Sequence, residues 1–204
     1  MNASTTKQNS PLRIFSPTNI IIWSTFYSPI ILAISITSLS FMFQNFKGLI
    51  YLGFLLLSSV IRNYTYKYAV GEKLVDDGTI CTSVEYSEYG NPTFSAFVFA
   101  FTIMYISLPM FSSGAVNFWI FGALIVYFFI DIFVKVYKSC IPNIKDLVLN
   151  ILVGMVTGAL FVSIMSTKYV FFNEVSSNKE ICSQPKEQTF KCQVYKDGTL
   201  VGNI

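Results

Sequence analysis

Five stretches of this chain stay apolar for about the length of a bilayer crossing. That pattern restricts its possible folds more than any single motif does. A helix needs roughly 20 mostly apolar residues to cross the hydrocarbon core. The stretches are 20–43, 47–68, 93–111, 116–134 and 147–168. Only 12% of the 204 residues are charged, about half the share of an ordinary soluble domain. Mean hydropathy is +0.56. These values exclude a disordered chain, a coiled coil and a disulfide-dense secreted scaffold. The expected fold is all-α, a polytopic transmembrane helical bundle of about five spans. A polar tail over 1–19 precedes it, the membrane domain covers 20–172, and a small extramembrane tail covers 173–204.

The links between the stretches set the topology. Phe43–Phe46 and Ser112-Ser113-Gly114 are short, so each joins antiparallel neighbours. Arg62–Pro92 and Lys135–Asp146 are longer and fall on the opposite side. Pro29 is expected to kink the first stretch, which reads as a retained span rather than a cleaved leader. In the second, the apolar part ends at Ile61, and Tyr64, Tyr66 and Tyr68 suit a membrane interface. The N-terminal tail and the long loops carry eight Lys and Arg, against six on the short-turn side. By the positive-inside rule the N-terminus is expected in the cytoplasm and the C-terminal tail in a lumen or outside. Cys182 and Cys192 could close a small disulfide in that tail. Lys196-Asp197-Gly198 reads as a turn between Gln193–Tyr195 and Thr199–Val201. A flexible tail with two free thiols is the alternative.

The chain has no His, which removes every mechanism needing an imidazole base, nucleophile or ligand. Its four Cys form no Cys-x-x-Cys pair, so no metal site and no cofactor is expected. Cys81 and Cys140 read as structural or incidental, because no base accompanies them. A net charge of +3 is too small and dispersed for nucleic acid. The carboxylates of the Arg62–Pro92 loop follow no fixed ligand pattern and read as a solvated surface. Asp131 is the intramembrane exception. Lys135 lies one helical turn on, so an ion pair is the plain reading and a polar cavity lined by Asp131 the sharper one. Gly154 and Gly158 form a small-xxx-small motif for close helix packing, within the bundle or against a second copy.

The order of elements resembles the type 2 phosphatidic acid phosphatase superfamily of membrane lipid phosphatases. Its motifs are a Lys with an Arg-Pro pair, a Pro-Ser-Gly-His, and a Ser-Arg followed by a His and an Asp. Here Gly90-Asn91-Pro92-Thr93-Phe94-Ser95 stands at the second motif, with Pro92 matching and Thr93 in the Ser position. Ser95 occupies the place of the family's His. Asp146 matches the terminal Asp of the third motif, while Pro142 replaces the nucleophilic His and Val136 the Arg. Near the first motif stand Arg62 and Lys67 without an Arg-Pro pair. The resemblance covers about residues 47–165. It implies that Arg62, Lys67, Thr93, Ser95, Lys135, Lys138 and Asp146 gather on one face to hold a phosphate or phospholipid headgroup. It also implies that catalysis is lost, since a nucleophile needs a base to assist it.

The expected function is that of a non-catalytic integral membrane protein, a lipid-phosphatase-like pseudoenzyme that organises a membrane or binds a headgroup or partner. A second reading is a structural membrane protein of a virion or organelle, anchoring a scaffold through the C-terminal tail. A third is a small transporter or channel using Asp131. The bilayer is the expected partner in all three.

Overall fold

The structure is a computed structural model. It describes residues 17–69, 81, 84–87, 89–114, 116–141, 143–165, 172, 193–196 and 199–203. Six helices make up almost all of it: α1 (Pro17–Phe26), α2 (Ser28–Met42), α3 (Lys47–Ala69), α4 (Phe94–Ser113), α5 (Phe118–Tyr137) and α6 (Ile144–Ile164). A 3-10 turn over Asn91–Thr93 leads into α4. Two strands follow near the C-terminus, β1 (Gln193–Lys196) and β2 (Thr199–Asn203).

The first apolar stretch is not one straight rod. It breaks at Tyr27, and the two halves meet at 74°. Pro29 explains the position, because it lacks an N–H and its ring crowds the carbonyl four residues earlier. The second stretch runs unbroken through its tyrosines as α3, 23 residues long, or about 35 Å at 1.5 Å per residue. Asn143 moves the start of α6 to Ile144, three residues ahead of the expected boundary, by accepting the Lys145 N–H at 3.1 Å. Asn117 caps α5 in the same way, taking the N–H groups of Trp119 and Ile120. At the α2–α3 turn the Ser40 hydroxyl donates to Asn45 Oδ1 at 2.8 Å and accepts from Gly48 N at 2.9 Å.

Among the described residues three helices are long and apolar enough to cross a membrane: α4 with its leading 3-10 turn, α5 and α6. The bent α1–α2 pair makes a fourth if it counts as one span. The helix α3 carries Lys47, Arg62 and Lys67 and does not reach that apolarity. Five crossings are therefore more than composition alone supports.

The core is built on α4. Within that helix 72% of the apolar window is buried, against 11% for α5. Phe97, Phe99, Phe101 and Tyr105 are sealed. Phe101 and Tyr105 join Tyr51, Phe54 and Phe161 in a continuous aromatic contact. Tyr51 stays satisfied inside it by a 2.7 Å bond to the Thr102 hydroxyl. Gly154 and Gly158 settle where their motif acts. A Cβ at Gly154 would sit 2.4 Å from the Phe97 carbonyl oxygen, and one at Gly158 2.8 Å from that of Phe101. The motif thus packs α6 on α4 of the same chain. The outward face of α5, with Trp119, Phe129 and Phe133, is exposed, as suits a surface whose solvent is lipid.

The expected tail hairpin is present as an antiparallel pair, with Lys196 opposite Thr199. The suggested Cys182–Cys192 bond lies outside the described residues. A different disulfide is formed. Cys81 joins Cys140, with Cα atoms 5.4 Å apart and 59 residues between them. It ties the loop after α3 to the loop after α5. A closure of that length stabilises the folded state by about 4 kcal/mol in the loop-entropy account. Cys81 and Cys140 are therefore cross-linked residues, which removes both as candidate thiolates.

Candidate functional site

The buried polar residues at the long-loop end form two clusters, anchored on either side of the junction between the 3-10 turn and α4. Thr93 begins one and Ser95 the other.

The Ser95 cluster sits among α1, α2, α4 and α5. Ser95 donates its hydroxyl proton to Asp131 Oδ2 at 2.5 Å. Ser28, the first residue of α2, donates to Asp131 Oδ1 at 2.8 Å. Lys135 donates to Ser95 Oγ and lies 3.4 Å from Asp131 Oδ2. The one-turn spacing of Asp131 and Lys135 thus makes the ion pair that sequence suggests. Both are almost fully buried, at 1% and 5% exposure. The ammonium also lies 5.9 Å from the Phe26 ring centre. Around the cluster, Tyr86 donates to the Phe26 carbonyl at 2.9 Å and Tyr127 to that of Ser24 at 2.8 Å. These two bonds hold the end of α1 over the ion pair. Tyr86 lies in the loop before α4, and its hydroxyl is pushed up to about 12, first by burial and then by the nearby phenols and Asp131.

The Thr93 cluster joins α3, α6 and the loop into α4. Arg62 donates from Nε to Asn150 Oδ1 at 2.7 Å. Its Nη1 donates to the Tyr89 carbonyl at 3.2 Å and its Nη2 to the Gly90 carbonyl at 2.7 Å. The guanidinium is packed within 5.0–5.9 Å of the ring centres of Phe94, Tyr66 and Phe97, a cation–π environment. Asn150 passes the network on, donating to Thr93 Oγ1 at 2.9 Å and to the Asp146 carbonyl at 2.7 Å. Gly90 is required here twice over. Its φ is +57°, and a Cβ would lie 2.6 Å from the Tyr66 ring and 3.0 Å from Arg62.

The seven residues expected to share one phosphate-binding face do not share it. Arg62 and Thr93 meet through Asn150 and the Gly90 carbonyl. Ser95 and Lys135 meet in the other cluster. Lys67 and Lys138 are exposed and enter neither, and Asp146 takes part through its backbone carbonyl. The reason is periodicity: Thr93 and Ser95 are two residues apart on a helix, so they face different neighbours. Sequence reading named the charged members and missed Ser28, Asn150, Tyr86 and Tyr127. Asn150 could have been found, since it lies in an apolar run four residues after Asp146 and so one turn away from it. Ser28 and the tyrosines had no signal beyond their polarity.

Chemically the arrangement neutralises buried charge within the fold. Ser95 is 1% exposed and both donates to a carboxylate and accepts from an ammonium, so its proton and one lone pair are engaged inside the fold. Among the described residues no group of three or more His, Cys, Asp or Glu could hold a metal ion. No protein-family model, curated protein or solved structure matches this chain. The lipid-phosphatase resemblance therefore rests on Pro92, Asp146 and the order of the spans alone.

Proposed function

We propose that this chain is a non-catalytic multi-pass membrane protein, a lipid-phosphatase-like scaffold that organises a bilayer or holds a partner in it. One observation carries the proposal. Every buried charge described at the long-loop end is satisfied by the chain's own groups: Asp131 and Lys135 by each other and by Ser28 and Ser95, Arg62 by Asn150 and two carbonyls. Intramembrane charges usually mark a pathway or site, whereas these lock helices together. In this reading the bent α1–α2 pair and α3 complete five crossings. The charge of Arg62 lies inside the bundle at 1% exposure, so α3 need not present it to lipid.

The test is phosphate release by purified protein in mixed micelles of phosphatidic acid or a polyprenyl pyrophosphate. No release above the detergent blank is expected. Hydrolysis that disappears on Ser95→Ala would overturn the reading.

A second reading, headgroup binding, draws on the neutrality of the acceptors around Arg62, which leave its charge without a paired carboxylate among the bonds described. Vesicles containing phosphatidic acid would then raise the thermal midpoint of the wild type more than that of Arg62→Lys. Equal shifts exclude it.

A further inference from the structure

The bond between Cys81 and Cys140 orients the molecule. Cys81 lies in the loop between α3 and α4, and Cys140 in the loop between α5 and α6. Both loops are at the same end of the bundle as the two polar clusters. Disulfides persist in a lumen, a periplasm or outside the cell, and are rare where glutathione and thioredoxin keep thiols reduced. Cys140 is buried, at 3% exposure, and Cys81 is half-buried, so the bond is packed into the fold on its Cys140 side.

The charges lean the other way, but less than the full count suggests. Eight cations on the long-loop side include Arg62 and Lys135, which are buried and held by internal partners. Such groups do not sit among the lipid headgroups that the positive-inside rule describes. Without them six cations remain on each side; Lys191 and Lys196 stand more than about 20 residues past the last span, outside the reach of the rule, so near-span charge still leans toward a cytoplasmic long-loop end and the disulfide carries the opposite orientation. We propose that the long-loop end faces an oxidising compartment. The short turns and the C-terminal hairpin then face the cytoplasm. This is the reverse of the orientation expected from the full charge count. It places the C-terminal tail in the cytoplasm. The inference rests on the membrane reading of the fold, and its crossing of consequence is α6, which follows Cys140 directly and leads to the tail.

The chemistry is thiol–disulfide exchange. The two thiols give up two electrons and two protons to the disulfide of a compartmental dithiol oxidoreductase, which becomes a dithiol as the S–S bond forms. The full chain, made by cell-free translation with sealed microsomes, supplies the test. Carbonate extraction comes first. Protein released by carbonate refutes the membrane reading itself, and protein retained allows the orientation to be judged separately. Free thiols are then blocked, and the unreduced protein is digested for mass spectrometry. A linked peptide pair containing Cys81 and Cys140 is expected, and it needs no variant. In a Cys182→Ser/Cys192→Ser chain, reduction after blocking should release two thiols, and the further change Cys81→Ser should release none. A C-terminal epitope should be lost to protease added outside the vesicles. Lys138→Cys, in a chain with its native cysteines replaced by Ser, should label with an impermeant maleimide only after detergent. Retained protein with free thiols at 81 and 140, or with a protected epitope, would overturn the orientation.

Discussion

Two buried cations lie at the same end of this bundle and are held in opposite ways. Lys135 has a carboxylate, Asp131, one helical turn away. Arg62 has an amide oxygen, two backbone carbonyls and three aromatic rings. The difference follows from side-chain shape. A lysine ammonium is a compact point charge that gains most from one close anion, whereas the planar guanidinium offers five N–H groups in a fork that can bridge several neutral acceptors and stack on rings. The Lys135 cluster fixes α5 and the α1–α2 break to α4, and the Arg62 cluster fixes α3 and α6 to it. Polar contacts thus set the positions of helices that apolar packing alone could allow to slide.

The contrast can be broken most strongly at Asp131. Asp131→Ala strands the Lys135 ammonium in a buried site and should cost about 3–5 kcal/mol, read as a fall in thermal midpoint in detergent. Asp131→Leu with Lys135→Met should recover most of that loss, since replacing a whole buried pair by apolar groups is often neutral. A double variant as unstable as the single would show that the Ser28 and Ser95 hydroxyls, not the charges, are decisive. Arg62→Lys comes next. It keeps the charge but cannot reach three diverging acceptors, and a loss of about 1.5–3 kcal/mol is expected. A fully stable Arg62→Lys would mean that the rings alone hold the cation.

Gly154→Ala tests whether the clusters are separate. Its Cβ would press on the Phe97 carbonyl, wedge α6 from α4 and draw Asn150 away from Thr93, at about 1–3 kcal/mol. Combined with Asp131→Ala the effects should add, whereas combined with Arg62→Lys they should not. The smallest effect concerns pH. Tyr86 is neutral in the fold, with its hydroxyl raised from 10.0 to about 12. Stability from its bond to Phe26 should be whole below pH 10 and decline as pH rises through about 12. Tyr86→Phe should lose that bond and flatten the dependence, as followed by alkaline unfolding.

Much of the architecture is legible in the residues. Apolar runs locate the helices, Pro29 the break in the first, and Lys196-Asp197-Gly198 the hairpin, whereas the caps at Asn117 and Asn143 are seen only in the structure. Asp131 and Lys135 announce their pairing through helical spacing. Legibility fails where partners are remote in sequence. Ser28 is 103 residues from Asp131, Asn150 is 88 from Arg62, and Cys140 is 59 from Cys81. Helical spacing ties a side chain only to neighbours three or four residues away, so it cannot nominate such partners. The apolarity of both α4 and α5, mean hydropathy 1.8 and 2.1, likewise hid which is the core and which lies outside, because lipid and protein interior are both apolar.

By itself, then, the sequence determined that this is a helical, charge-poor chain with short and long connections on opposite sides and without imidazole chemistry. These are local and compositional properties. Only the tertiary structure decided that Arg62 and Lys135 are internal ties and not a shared anion site, that Gly154 and Gly158 serve the chain's own helix pair, and that Cys81 finds Cys140. Each of those outcomes depends on which helix faces which. That is settled by the joint packing of α4 with all its neighbours, and no segment carries it alone.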